Sequence, residues 1–268
     1  GVLFAAGLHG ILASDGRRLF VVEDRLLMVP GGQRGRTVFF PGMGRQPIRG
    51  LWNRLVAWDL ENGHSLWEVG GAAMNESFDL PLAGTRFLGA PVPDEGELLV
   101  VGERDNELRL HGLDAATGQP TWSQRIAYVD QSILQSPNRH RAAIQVAAGD
   151  GVVVCPTGVG WLVAVERASR RILWAHRYTR PSAGTNKRPP GGFGMGVVVR
   201  SPMTPGDSWQ DAPPVISGQK VVFTPAEAKV IVCLDLFDGR KLWEKPKGKS
   251  LHLAGVFDEI VVLVGTDA

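Results

Sequence analysis

The sequence predicts an all-β protein, a β-propeller of four-stranded antiparallel blades, and three observations predict it. The first is a phrase written four times: LVAWDLENGHSLW ending at Trp67, LHGLDAATGQPTW at Trp122, LVAVERASRRILW at Trp174 and IVCLDLFDGRKLW at Trp243. The tryptophans recur at intervals of 55, 52 and 69 residues, the period of a repeat architecture. The second is that the chain between these phrases reads as apolar runs of four to eight residues separated by turn signals, the pattern of antiparallel meanders. The third is the lack of any long stretch with a 3.6-residue period. Four-stranded sheets repeated around an axis make a propeller.

The elements follow in order. The first blade, about 8–69, comprises GILAS (10–14), RLFVVE (18–23), RLVAWD (54–59) and HSLWEV (64–69). The second, 87–126, comprises FLGAPV (87–92), ELLVVGE (97–103), ELRLHGLD (107–114) and QPTWSQRI (119–126). The third, 142–177, comprises AAIQVAA (142–148), GVVVCP (151–156), WLVAVER (161–167) and RILWAHR (171–177). The fourth, 212–245, comprises APPVIS (212–217), KVVFT (220–224), KVIVCLD (229–235) and RKLWEK (240–245). LHLAGV and EIVVLVG then supply half of a fifth blade, 251–266. The whole of 1–268 is expected to be one partial propeller domain, a fragment of a larger propeller.

Each repeated phrase has a physical reading. Asp59, Asp114, Glu166 and Asp235 end an apolar strand, and their carboxylates are placed to accept hydrogen bonds from the turn that follows. Gly63, Gly118 and Gly239 stand four residues on, where the turn requires a positive φ. The third copy has Arg170 there, so its turn is expected to be either longer or strained. Two residues before each acid stands a small residue: Ala57, Gly112, Ala164 and Cys233. A small side chain at one repeated place and a large aromatic at another suggest that the tryptophan of one unit covers the small residue of a neighbour. Such burial contributes roughly 1.5–3 kcal/mol or more per tryptophan.

The element Ala-x-Asp-x-x-Thr-Gly-x-x-x-Trp resembles the blade signature of pyrroloquinoline-quinone-like repeats. Ala57, Asp59, Gly63 and Trp67 match it well, as do Asp114, Thr117, Gly118 and Trp122. Glu166 with Trp174, and Asp235, Gly239 and Trp243, match in part. The resemblance covers nearly the whole chain. It implies the propeller fold, an extracytoplasmic location and one of two roles, since the family includes quinoprotein alcohol dehydrogenases as well as non-enzymatic bacterial scaffolds. Its enzymes stack the quinone on a tryptophan, bind Ca²⁺ through carboxylate and amide oxygens, use an aspartate as base, and many carry adjacent cysteines.

The residues favour the scaffold. The two cysteines, Cys155 and Cys233, lie far apart in apolar strands and read as small buried hydrophobes. Asp207 and Asp211 lie in a loop without a Ca²⁺-loop pattern. The six histidines are scattered, and the glycine run 191–196 lacks the Lys-Ser/Thr of a phosphate loop. No catalytic, cofactor-binding or metal-binding residue is therefore assigned. With 29 basic and 27 acidic residues and no basic stripe, nucleic acid is not an expected partner. No apolar run reaches 18 residues, so no transmembrane segment is expected.

Two insertions break the repeat, 24–53 and 178–211. Both mix basic residues with aromatics, a composition enriched at binding hot spots. Arg45, Arg49 and Trp52 in the first, and Arg180, Lys187, Arg188 and Trp209 in the second, are candidate partner-binding residues. The expected function is a binding scaffold in a larger exported bacterial protein, with a protein or other domains of the same chain as partner and no cofactor. The alternative is part of a pyrroloquinoline-quinone- and calcium-dependent alcohol or sugar dehydrogenase.

Overall fold

The computed structural model describes residues 12–24, 37–40, 44–47, 52–73, 79–130, 132–133, 144–178, 213–225, 228, 230–257 and 260–265. Among them there is no α-helix, and no helix is long and apolar enough to cross a membrane. The chain forms four antiparallel blades and a final hairpin, as its repeats dictate. In the first blade β1 (Leu12–Ser14), β2 (Arg18–Asp24), β5 (Asn53–Asp59) and β6 (Ser65–Gly70) lie side by side in that order. The insertion between β2 and β5 holds its own hairpin, β3 (Thr37–Phe40) with β4 (Gly44–Pro47).

The second blade orders β7 (Arg86–Phe87), β9 (Glu97–Arg104), β10 (Glu107–Asp114) and β11 (Pro120–Tyr128), with β8 (Val92–Asp94) also on β9. Its inner strand is thus broken where a single run was expected over 87–92. The Leu88 N–H still donates to the Val101 carbonyl at 2.9 Å, but the Leu88 carbonyl accepts from the Ile144 N–H at 2.9 Å. The chain therefore leaves β9 to hold the third blade. Pro91, which has no N–H to offer a ladder, follows within the gap.

The third blade is β12 (Ala147–Gly149), β13 (Val152–Pro156), β14 (Trp161–Glu166) and β15 (Ile172–Arg177). The fourth is β16 (Val215–Ser217), β17 (Lys220–Phe223), β18 (Val230–Asp235) and β19 (Lys241–Pro246). In both, the inner strand is shorter than the sequence suggests, beginning at Ala147 rather than 142 and at Val215 rather than 212. The final hairpin pairs β20 (Ser250–Phe257) with β21 (Ile260–Gly265).

The inner strands meet in succession, β1 with β8, β8 with β12, β12 with β16 and β16 with β20, as blades converging on one axis must. No comparable contact joins the last hairpin to β1, so the described residues form an arc. The core lies between blades. Phe20, Leu55 and Val69 of the first pack on Leu98, Val100 and Leu113 of the second. Leu99 and Val101 pack on Val153 and Cys155, and Val152 and Val154 on Val221 and Phe223. Second strands are consequently apolar on both faces, which is why they read as unbroken apolar runs.

Candidate functional site

The repeated phrase builds one joint per blade. In every third-to-fourth-strand hairpin the small residue stands directly opposite the tryptophan: Ala57 with Trp67, Gly112 with Trp122, Ala164 with Trp174 and Cys233 with Trp243. The register shifts immediately afterwards in all four. This corrects the expectation that a tryptophan covers the small residue of a neighbour. The small residue makes room for its own blade's indole, and a Cβ on Gly112 would collide with the Trp122 ring.

What the indole covers in the next blade is the turn glycine. A Cβ on Gly118 would lie 2.5 Å from Trp67, and one on Gly239 2.5 Å from Trp174. Gly118 and Gly239 thus serve twice, adopting φ of 73° and 70° and leaving space for the ring. The Trp67 Nε1–H donates to the Ala115 carbonyl at 3.2 Å and the Trp174 Nε1–H to the Leu236 carbonyl at 2.8 Å, both in the same covered turns.

The acids set these turns. One Asp59 oxygen accepts the Glu61 and Asn62 N–H groups, and one Asp235 oxygen those of Phe237 and Asp238. Asp114 accepts the Ala116 and Thr117 N–H groups and the Thr117 hydroxyl. These bonds, the Thr117 hydroxyl foremost, hold its carboxyl below the ordinary range. Each turn also docks on the first hairpin of its own blade, through Leu60 to Arg17, Ala115 to Gly96, Arg167 to Gly151 and Leu236 to Gln219.

The third turn is no longer than the others. The Arg170 N–H donates to the Glu166 carbonyl at 2.8 Å, and Arg170 adopts φ 63° where the other copies have glycine. The strained alternative is therefore the observed one. Arg170 changes the joint beside it, because its guanidinium lies over the Trp122 ring at 4.5 Å. Trp122 instead donates to a Glu97 carboxylate oxygen at 2.5 Å. Glu97 also accepts from Thr121 and pairs with Arg170 at 3.5 Å and Arg167 at 3.7 Å. Arg167 reaches on to Asp94 at 2.5 Å and Glu95 at 2.9 Å. The second-to-third joint is thus ionic, where its neighbours rest on glycine and a backbone carbonyl. Sequence reasoning missed Glu97 and Arg167, whose partners lie some 70 residues away.

Burial of the four tryptophans is unequal. Only Trp174 is fully buried, at 8% exposure, whereas Trp67, Trp122 and Trp243 remain partly exposed. Of the proposed partner-binding residues, Trp52 is half-buried in the bend just before β5, and Arg45 belongs to β4. Arg49, Arg180, Lys187, Arg188 and Trp209 lie outside the described residues.

His111 on β10 is buried between the first two blades, its Nε2 close under Gly102 and its Nδ1 without a partner. Burial, and secondarily Arg109, lowers its pKa to about 4. The unfolded chain therefore binds an extra proton between about pH 6.5 and 4, and stability falls as pH falls through that window, levelling off below it. The expected loss is about 3 kcal/mol. Urea titrations at several pH values should show that His111→Gln abolishes this component; an unchanged slope would disprove it.

The described residues hold neither the adjacent cysteines nor the carboxylate cluster found in the enzymes of the resembled family. Cys155 and Cys233 are buried in different blades, with burial raising both thiols, and no three His, Cys, Asp or Glu side chains among the described residues converge as metal ligands.

Fold and joints together define a pyrroloquinoline-quinone-like β-propeller whose blades lock tryptophan to turn. The chain belongs to the family of the outer membrane protein assembly factor BamB, whose sequence profile matches residues 3–267. No curated protein is matched. Among solved structures, BamB from Moraxella catarrhalis is 15% identical with a TM-score of 0.51, over 80% of this chain and 53% of its own. A europium-containing methanol dehydrogenase is 13% identical with a TM-score of 0.47, over 96% of this chain and 44% of its own. The chain spans about half the length of these structures, and the likeness to BamB establishes a shared fold.

Proposed function

We propose that this chain is the protein-binding scaffold of a larger, exported bacterial protein. One observation carries the reading. The leucine preceding the tryptophan on the outermost strand stands in solvent in three of four blades: Leu66 at 46%, Leu173 at 39% and Leu242 at 38% exposure. A leucine exposed at the same place in three blades offers repeated apolar area to a partner. The outer strands that carry these leucines are also sheet edges with backbone groups open to strand addition. Membership of the BamB family supports both the scaffold role and an extracytoplasmic setting. The insertions 24–53 and 178–211, which mix basic residues with aromatics, are further candidate contacts for the same partner.

The test is a photo-crosslinking residue placed singly at Leu66, Leu173 and Leu242 of the full-length protein in its host. A defined protein adduct should form at these positions and not at Asp105, an exposed turn residue between β9 and β10. Equal labelling at all four, or none, would overturn the scaffold. Calorimetry of the same protein with pyrroloquinoline quinone and Ca²⁺ should show no binding; stoichiometric binding would make it a quinoprotein instead.

A further inference from the structure

The ionic joint leaves a cleft of about 610 Å³ on the turn side of the second, third and fourth blades. Its apolar part is Leu173 and Phe237, 39% and 46% exposed, contributed by β15 and by the turn after β18. Its charged part is Glu95, Asp150, Glu166, Arg167 and Arg170. The two arginines are already engaged by acids and a ring of the second blade. Arg167 is held by Asp94 and Glu95, and Arg170 lies on Trp122 and Glu97. The other two carboxylates have no such neutralisation. Asp150 makes no hydrogen bond or ion pair among the described residues, and Glu166 accepts only the Ser169 hydroxyl in its own turn. An apolar floor is therefore flanked by two carboxylates that no cation among the described residues satisfies.

Resting on the scaffold reading, we propose that this cleft docks an extended polypeptide segment carrying a lysine or arginine beside a large apolar side chain. The apolar residue would cover Phe237 and Leu173, and the cation would sit between Asp150 and Glu166. Charge complementarity of this kind fixes register and steers encounter more than it adds affinity, while the buried aromatic contact supplies most of the binding. The turn that creates the site is the one that departs from the family's glycine. Arg170 draws its charge back onto Trp122 and so leaves the acidic pair unopposed.

The probes are two synthetic peptides, acetyl-Leu-Lys-Phe-Lys-Val-amide and its glutamate counterpart, titrated into the full-length protein and followed by fluorescence anisotropy. The basic peptide should bind and the acidic one should not. Phe237→Ser should weaken the basic peptide about tenfold and Asp150→Asn about threefold, with added salt erasing the second effect. Both positions are exposed turn residues, and unchanged melting curves check that each variant folds. Equal binding of both peptides, no binding of either, or binding that neither substitution alters would overturn the docking site. Crosslinking at Leu66 and Leu242 without these peptide effects would leave the scaffold standing and dismiss the cleft alone.

Discussion

Trp174→Ala is expected to destabilise the protein by ~3–5 kcal/mol, the range for removing a large buried aromatic from a site that cannot collapse. Trp174 is the most enclosed of the repeat tryptophans. Its ring covers Gly239, its Nε1–H is bonded to the Leu236 carbonyl, and it joins Val154, Leu162 and Ala164 to Val221 and Leu234 of the next blade. The change would leave a cavity between two sheets whose backbones are fixed by their ladders, and would orphan the Leu236 carbonyl. Trp243→Ala should cost much less. The Trp243 ring remains partly exposed and packs only at the margin of the cluster of Val222, Ile231, Cys233 and Leu253. Chemical denaturation compares the two; equal midpoint shifts would refute the role assigned to the inter-blade contact.

Asn53→Ala should cost about 2–5 kcal/mol, since it strands two buried backbone groups at about 1–3 kcal/mol each. Asn53 is 0% exposed. Its Nδ2 donates to the Phe87 carbonyl and its Oδ1 accepts the Phe87 N–H, both at 2.8 Å. A single side chain thus pairs with the backbone of the next blade's inner strand as a strand would. Arg54→Ala beside it is the control, because its partly exposed ion pair with Glu68 is expected to contribute under about 1 kcal/mol. Asn53→Asp keeps the acceptor but sets a buried carboxylate oxygen against the Phe87 carbonyl, and should cost at least as much as Asn53→Ala. If Asn53→Ala were no worse than Arg54→Ala, the side chain would not be joining the blades.

The sequence by itself determined the four antiparallel blades, their longer strands and the place of every repeated turn, but neither the break between β7 and β8 nor the hairpin of β3 and β4. That information is local. Asp59 and Gly63 lie four residues apart, and an aspartate, a positive-φ glycine and a tryptophan opposite a small residue are all settled within one hairpin. Asn53 and the pairing of Glu97 with Arg170 carried no such sign, because these partners lie 34 and 73 residues apart and meet only when one blade stacks on the next. The partner of each tryptophan was misjudged for the same reason. Spacing shows that a small residue and an indole recur together, but the register alone decides that they face each other within a blade. The structure likewise decided the fate of Arg170. An arginine in a glycine position reads as a defect in one dimension; in three it turns Trp122 toward Glu97 and leaves Asp150 and Glu166 open beside Phe237. Periodic patterning encodes the blade, while the differences between joints arise from contacts between distant residues, which no local pattern carries.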